Sequence, residues 1–463
     1  MKKTFVWALM ATLLVAGSAF AGPGQVTANA TFATGAPTTT NNDDSCDIGT
    51  APAATLLLPY FEVDVNAPIT TAQTTLFTVT NTSRLPQIAH VTLWTDWSFP
   101  VLDFNIFLTG YDVQAINLYD IIVRGVIAPT TGTSNRTTPG ARSALNTANP
   151  NFLTGTGGAA DTCGRIATNI PEGLLQDVRR SLTQGLNSLC GNTRIGGTHA
   201  NAIGYVTIDV AATCSFRLPT EPEYFATEIL FDNVLIGDYQ QVAPNPTTGN
   251  YAQGNPMVHI RAIPEGGPAG SVVPTNLPYT FYTRYQAPGF ETRDRRQPLP
   301  ATFAARYIQG GTGGFLTDFK IWREGITGAG ALCADYVDNS ALTISEFVRF
   351  DERENPTTAV PDVIISPQPE AEFATPETSR IASSNSTFPP LESGDVAGWM
   401  YMNLDNVEFD RASQNWVIVS MFAEGRYSVD FDAAWLGNGC SAPEGVTSVD
   451  ATNPIGPAPN QTP

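Results

Sequence analysis

Pairs of carboxylates are the side chains of this sequence best suited to chemistry. Glycoside cleavage needs one acid and one base or nucleophile, roughly 5 to 10 Å apart. Apparent strands bring together three such groups: Glu62 with Asp64, Glu346 with Asp351, and Glu424 with Asp430 and Asp432. The chain carries 43 acidic residues, so pairs also arise by chance and would then be outward-facing, solubilising strand residues. The pattern leaves both a glycoside hydrolase and a protein without catalysis open.

A candidate calcium site lies in a run of oxygen-bearing side chains. Acidic exported proteins use such oxygens to hold calcium. Five of them fall within eight residues, namely Asn403, Asp405, Asn406, Glu408 and Asp410. We predict Asn403, Asp405 and Asp410 as ligands, although the run lacks the spacing and glycine of an EF-hand loop. Asp335, Asp338 and Asn339 form a smaller cluster. Calcium is the only cofactor that the sequence suggests.

Signatures of other enzyme chemistry are absent from the sequence. The three histidines, His90, His199 and His259, share neither a helix nor a short spacing, so there is no zinc protease motif. We expect His90 and His259 to be ordinary sheet residues and His199 to be a solvent-exposed loop residue. No nucleophile elbow, P-loop or dinucleotide fingerprint is present. We therefore predict no catalytic and no cofactor-binding residue.

Tryptophan side chains offer a second kind of site, because their flat faces suit sugar rings. Six follow residue 21: Trp94, Trp97, Trp322, Trp399, Trp416 and Trp435. All lie in apparent strands, where packing in the core is the commoner use. Trp94 and Trp97 fall on opposite faces by strand parity, which predicts that one of them is exposed.

The first 21 residues predict the compartment. A basic start at Lys2 and Lys3, an apolar run too short to span a bilayer and the small-x-small end Ala19-Phe20-Ala21 are typical of a bacterial secretory signal peptide. We expect an exported protein, extracellular, periplasmic or at the cell surface. No later apolar run is long enough for a transmembrane helix.

Six cysteines follow this segment, and they predict disulfides in an exported chain. They are Cys46, Cys163, Cys190, Cys214, Cys333 and Cys440. Sequence alone leaves fifteen ways of forming three bonds. Cys163 and Cys190 flank the predicted helix, which suggests one pair. Cys46 and Cys440 stand at the two edges of the structured region, which suggests another.

The charge excludes some partners. The formal net charge is -19, so nucleic acid and anionic membranes are poor partners. Lys320 is the only lysine after Lys3, so nearly all positive charge is arginine. Coding bias explains this usage, and selection for planar ion pairing is the alternative.

Short alternating segments separated by Gly, Pro and Asn predict a mainly β chain with antiparallel, immunoglobulin-like sandwich elements, long loop insertions and one short helix at Pro171–Leu189. The expected organisation is a signal peptide (1–21), a flexible leader (22–45), a β-sandwich domain (46–270) with a helix-containing insertion (129–200), a second β-rich domain or continuation (271–440) and a disordered tail (441–463). Thr280–Tyr285 is predicted as a strand, and Glu354–Ser393 as a low-complexity separator.

Four motifs resemble those of an uncharacterised group of secreted bacterial β-rich proteins. They are LLPYFEVD from Leu57, AHVTLWTDW from Ala89, LTGYDV from Leu108 and AEGRYSVDFDAAWLGNGC from Ala423. The resemblance spans most of the chain and implies no activity.

Together these features predict an exported, non-enzymatic surface, matrix or adhesive β-sandwich protein. A variant is self-assembly, in which the alternating segment Val26–Phe32 completes the sheet of a neighbouring subunit. The alternative is a secreted carbohydrate-binding or glycoside-hydrolysing protein that uses paired carboxylates. Expected partners are other surface proteins, further copies of the chain or polysaccharide.

Overall fold

A computed structural model describes residues 48–85, 87–127, 170–212, 217–221, 223–245, 249–263, 265, 277, 279–286, 294–328, 330–344, 346–358, 374–385, 396–406, 413–423 and 427–436. The predicted signal peptide, leader and tail lie outside the described residues, as does 129–169 of the predicted insertion.

Nine strands and two α-helices precede residue 270 in the described part. The strands are β1 (Thr55–Val63), β2 (Thr74–Asn81), β3 (Gln87–Thr95), β4 (Pro100–Leu108), β5 (Val113–Asn117), β6 (Ala202–Ala211), β7 (Leu235–Asn245), β8 (Gly249–Pro256) and β9 (Val258–Ile260). The helices are α1 (Leu118–Ile122) and α2 (Glu172–Gln184).

Eleven strands follow in the described part of the second half. They are β10 (Thr302–Ile308), β11 (Phe315–Arg323), β12 (Leu342–Thr343), β13 (Glu346–Asp351), β14 (Pro356–Thr358), β15 (Ala374–Thr375), β16 (Thr378–Ala382), β17 (Ala397–Asn403), β18 (Asn415–Ala423), β19 (Tyr427–Asp432) and β20 (Ala434–Trp435).

The strands form four main sheets and one small one, β12-β15. Sheet I has the order β4-β3-β6-β1-β9, sheet II β5-β2-β7-β8, sheet III β14-β13-β17-β10-β20 and sheet IV β16-β11-β18-β19. Every strand ladder among the described residues is antiparallel. The prediction of a mainly β protein with antiparallel, sandwich-like sheets is confirmed. Sheets I and II use strands before residue 270 and sheets III and IV use strands after it, while the division into domains stays a prediction.

Sheet IV is the inner layer of the second half, and its two faces differ. The face that carries Phe319 and Val419 is apolar and lies toward sheet III, where the Thr317 hydroxyl on the same face bonds Ile308 of β10. The opposite face carries Lys320 and lies toward sheets I and II, since its polar side chains contact β8 and β1. Because side chains alternate along a strand, one sheet can combine an apolar core with a polar buried face.

The helix predicted at Pro171–Leu189 is confirmed, but it ends at Gln184. Leu175, Val178 and Leu182 form its buried stripe. Gly185 then adopts a φ of 63°, which glycine takes without steric cost, and terminates the helix. Leu189 therefore lies beyond the helix and is 85% exposed rather than part of the stripe. No helix of the described part is both long and apolar enough to span a membrane.

Two other local predictions were wrong. Thr280–Tyr285 is a turn that ends in a short 3₁₀ helix, Thr283–Tyr285. The separator Glu354–Ser393 contains β16, which pairs residue by residue with β11 because sheet IV supplies a partner that local composition cannot indicate. Leu118–Ile122, directly after β5, forms α1 because the Asn117 side chain accepts the Tyr119 N–H and caps the helix.

One disulfide, Cys190–Cys333, lies in the described part, with a sequence separation of 143 and a Cα–Cα distance of 5.4 Å. The suggested Cys163–Cys190 pair is therefore wrong, because a short 3₁₀ helix turns Cys190 toward a second one that begins at Cys333. Closing a loop of this size contributes about 5 kcal/mol in the chain-entropy model. The bond ties the predicted first domain to the second. Cys46, Cys163, Cys214 and Cys440 lie outside the described residues.

Candidate functional site

A fully buried lysine lies on the polar face of sheet IV. The Lys320 ammonium on β11 donates to Oδ2 of Asp430 on β19 at 2.8 Å, and both side chains are 0% exposed. Nζ also lies 3.5 Å from Oε1 of Gln253 on β8. Burial lowers the pKa of Lys320, because an ammonium loses its hydration, while Asp430 opposes this effect.

Asp432 and Tyr239 complete this arrangement, which we call the lysine cluster: Lys320, Asp430, Asp432, Tyr239 and Gln253. Oδ1 of Asp432 accepts bonds from the Asn255 amide at 2.6 Å and the Trp416 indole at 3.1 Å. Burial raises the pKa of Asp432 to about 6, and the charge of Asp430 adds to that effect. The protonated form of Asp432 is thus accessible at mildly acidic pH.

The predicted carboxylate pair Glu62 and Asp64 has structural partners. Glu62 accepts bonds from Asn201 at 2.7 Å and from Arg380 at 3.3 Å, and Arg380 also contacts Asp318. Asp64 accepts the backbone N–H groups of the following turn. The two carboxylates therefore stabilise separate features.

The second predicted pair, Glu346 and Asp351, is also separated. Five positions apart in β13, the two side chains point to opposite faces of the sheet. Asp351 accepts the Asn355 side-chain amide at 2.7 Å and the backbone N–H groups of Asn355 and Arg353 in the turn before β14, and these bonds lower its pKa. In the third group, Asp430 and Asp432 lie together in the lysine cluster, and Glu424 lies outside the described residues.

A buried network around Asp209 was not predicted. Oδ2 of Asp209 on β6 accepts the hydroxyls of Tyr224 and Tyr282, each at 2.7 Å, and Oδ1 lies 3.4 Å from the Arg296 guanidinium. Arg296 pairs in turn with Asp294 at 3.2 Å. The network is closed to solvent, which favours a structural role. A charged residue between Ile208 and Val210 in an apolar strand was the available sequence signal.

An open groove runs along β10, with a volume of about 990 Å³. Trp399 of β17 lines it, and Phe350 stacks on the indole with a ring-centroid distance of 4.0 Å and an interplanar angle of 6°. Trp399 lies between Phe350 of β13 on one side and Arg306 of β10 on the other, and Arg306 is exposed. Glu352 and Glu354 form an acidic rim. The groove combines a flat aromatic side chain with accessible hydrogen-bonding groups.

The other tryptophans divide between core and rim. Trp94, Trp97, Trp322 and Trp416 are buried, whereas Trp435 is half-buried, like Trp399. The prediction that Trp94 or Trp97 is exposed was wrong. Trp94 donates to the Thr207 hydroxyl at 2.9 Å, and Trp97 follows the end of β3, so strand parity no longer fixes its direction.

The histidines have local partners. His90 contacts Asn105 and His259 contacts the Ala51 carbonyl, in agreement with sheet residues. His199 was expected to be exposed, but its ring lies 2.9 Å from the buried Asp96 and is 22% exposed. The Asp96 carboxylate also accepts the Gly197 N–H, so it orders this loop.

The predicted calcium ligands are partly described. Asn403 and Asp405 are buried, and both accept backbone bonds: Asn403 from Asp405 at 3.2 Å, and Asp405 from Ser413 at 2.6 Å. Asp410 lies outside the described residues. No group of three or more His, Cys, Asp or Glu side chains within the described residues is arranged to hold a metal ion. The calcium site stays a prediction.

Comparison of the chain with protein-family models, with curated proteins and with solved structures finds no match. The geometry of the lysine cluster and of the groove is therefore the basis for any functional assignment.

Proposed function

We propose that the chain is an exported, non-enzymatic adhesive protein of the cell surface or matrix, and that it binds polysaccharide in the groove along β10. The observation that carries this proposal is the half-buried Trp399, supported from behind by Phe350 in a groove of about 990 Å³. Aromatic faces supply apolar contact area at defined geometry, as a sugar ring requires.

The groups around Trp399 support the proposal. Arg306 is exposed beside the indole, and Glu352 and Glu354 provide acceptors at the rim. Gly398 allows β13 to approach β17 closely beside Trp399, since a Cβ there would lie 2.0 Å from the Phe350 carbonyl oxygen. A ligand in this groove would meet apolar and polar groups together, as ligand sites generally provide.

The predicted carboxylate pairs Glu62–Asp64 and Glu346–Asp351 favour binding over hydrolysis. Glu62, Asp64 and Asp351 each accept hydrogen bonds from neighbouring residues that fix local structure. A glycosidase needs two carboxyl groups facing one substrate, and Glu346 and Asp351 point to opposite faces of their sheet.

Binding of the purified protein to a panel of polysaccharides, measured by affinity electrophoresis, tests the proposal. Trp399→Ala should weaken binding at least about tenfold, because central aromatic contacts dominate such interfaces. Tyr111→Ala, which removes a ring that is 71% exposed outside the groove, is the matched control and should bind normally. Equal binding by both variants, or release of reducing sugar by the wild type, would contradict the proposal.

Self-assembly by strand donation is a second candidate, favoured by the edge of β10. Within the described residues, β20 pairs only with Phe303 and Ala304, so the later part of β10 has no strand on that side. Such an edge accepts an added strand. Electron microscopy of the protein with and without residues 22–45 tests this: polymers that need the leader are expected, and monomers in both samples would refute it.

A further inference from the structure

The position of the only lysine after Lys3 is unusual. Every other cationic residue in that part of the chain is arginine, and the single lysine is placed where no solvent reaches it. Arginine is better suited to a buried ion pair, because its planar guanidinium makes several directed hydrogen bonds. Lysine differs in having an amine that becomes nucleophilic when it loses its proton.

Sheet register brings this amine to a carboxyl group. Lys320 of β11 lies opposite Ile418 of β18, and Asp430 of β19 lies opposite Ser420 of the same strand. These side chains share one face, so Lys320 reaches across β18 and places Nζ 2.8 Å from Oδ2 of Asp430.

If Lys320 and Asp430 form only an ion pair, several buried hydrogen-bonding atoms around them have no partner in the described part of the chain. Oδ1 of Asp430, the Ser420 hydroxyl and the Tyr239 hydroxyl are buried and have no hydrogen-bond partner among the described residues. A buried ion pair must offset the desolvation of both charges, and incomplete hydrogen bonding makes that harder. Condensation of the two side chains removes both charges and one of the two carboxyl oxygens.

We propose that Lys320 and Asp430 are joined by an intramolecular amide, or isopeptide, bond. The lone pair of Nζ attacks Cγ of Asp430, the new N–C bond forms, and the C–O bond to one carboxyl oxygen breaks. That oxygen leaves as water with two of the three protons of the ammonium group. The third proton stays on the amide nitrogen. No oxidant, metal or nucleotide takes part.

The surroundings suit this reaction. Burial lowers the pKa of Lys320 and thereby favours the neutral amine that attacks. Burial also raises the pKa of Asp432, which shares this sheet face with Asp430, to about 6, so that protonation of Asp432 at mildly acidic pH removes a negative charge near Asp430. The bond would close a loop of 110 residues and fix β19 to β11, separately from the Cys190–Cys333 disulfide.

The mass of the purified, reduced and denatured protein tests the proposal. The expected mass is lower by one water than that of the free chain, and a lysine-specific endoprotease should fail to cut after residue 320. Tandem mass spectrometry should identify Lys320 joined to Asp430. A wild-type mass equal to that of the free chain, with cleavage after Lys320, would overturn the proposal.

Two substitutions assign the bond. Asp430→Ala should restore the full mass expected for that variant and cleavage after Lys320. Asp318→Ala removes another buried carboxylate from the same sheet face and is the matched control, which should keep the bond. A cross-link that survives in Asp430→Ala would exclude Asp430 as the partner. Since the wild-type mass is decisive alone, the test does not depend on the variants folding.

Discussion

The lysine cluster and the groove contain the same types of side chain and meet at Asp432, which lines the groove, but their other charged residues differ in access to solvent. Each combines a cation, carboxylates and an aromatic ring. In the lysine cluster, Lys320 and Asp430 are 0% exposed and act on each other. In the groove, Arg306 and Glu352 are exposed and can act on a ligand. Burial, rather than residue type, therefore separates groups that determine stability from groups that can bind.

The largest expected effect comes from breaking the buried pair. Lys320→Met keeps the aliphatic length but leaves Asp430 charged and unpaired and removes the proposed cross-link, and we expect a loss of at least about 3 to 5 kcal/mol in the free energy of unfolding. Urea denaturation followed by tryptophan fluorescence measures it. A loss below about 1 kcal/mol would show that the cluster is hydrated in solution and that the contrast with the groove fails.

A smaller effect is expected from the pH dependence of the same cluster. Burial raises the pKa of Asp432 from 3.8 to about 6 in the folded protein. Between these values the folded state binds more protons at Asp432 than the unfolded state, so the contribution of this group to stability is greatest below about pH 4 and falls as the pH rises through about 6. Each pKa unit corresponds to about 1.4 kcal/mol.

Asp432→Asn should flatten this part of the pH profile and raise the stability at pH 8 by up to about 2 kcal/mol, since the amide carries no charge and can still accept a bond from Asn255. Thermal unfolding of both proteins from pH 4 to pH 8 provides the comparison. Parallel curves for the two proteins would mean that Asp432 does not titrate in this range.

The smallest stability effect is expected in the groove. Arg306→Met should change the free energy of unfolding by less than about 0.5 kcal/mol, because the side chain is exposed. The same variant should bind polysaccharide several-fold more weakly. Calorimetric unfolding and affinity electrophoresis of one preparation measure the two quantities. A large loss of stability with unchanged binding would reverse the roles assigned to the two regions.

Much of the fold was predictable from local patterns. The alternation along β4 and β6 and the apolar stripe of α2 indicated the elements, because the spacing of apolar residues reflects the geometry of a strand or helix. β16 was missed for the converse reason: Thr378–Ala382 has no strong pattern of its own and forms a strand by pairing with β11. Its sheet partner is β11, and Asp318 of β11 lies 62 residues before Arg380 of β16, which it contacts. Pairing with β11 supplies the backbone hydrogen bonds that the local sequence does not predict.

The sites were only partly predictable. Asp430 and Asp432 fall in one predicted carboxylate group and Trp399 is one of six tryptophans considered as sugar platforms, yet nothing local connects Asp430 with Lys320, 110 residues earlier. The isolated lysine was the available signal, and coding bias was the simpler explanation for it. The acids Glu346 and Asp351 were near in sequence, but the two-residue period of a strand directs them apart.

The β class, the position of α2 and the strongly acidic charge follow from the sequence alone, since each depends on composition or on the period of neighbouring residues. Which charges are enclosed depends on how the sheets pack. Sheet register placed Lys320 against Asp430, and the antiparallel pairing of β10, β17 and β13 placed Arg306, Trp399 and Phe350 in one row. Such contacts depend on strands that are distant in the chain, and only the packed sheets bring them together.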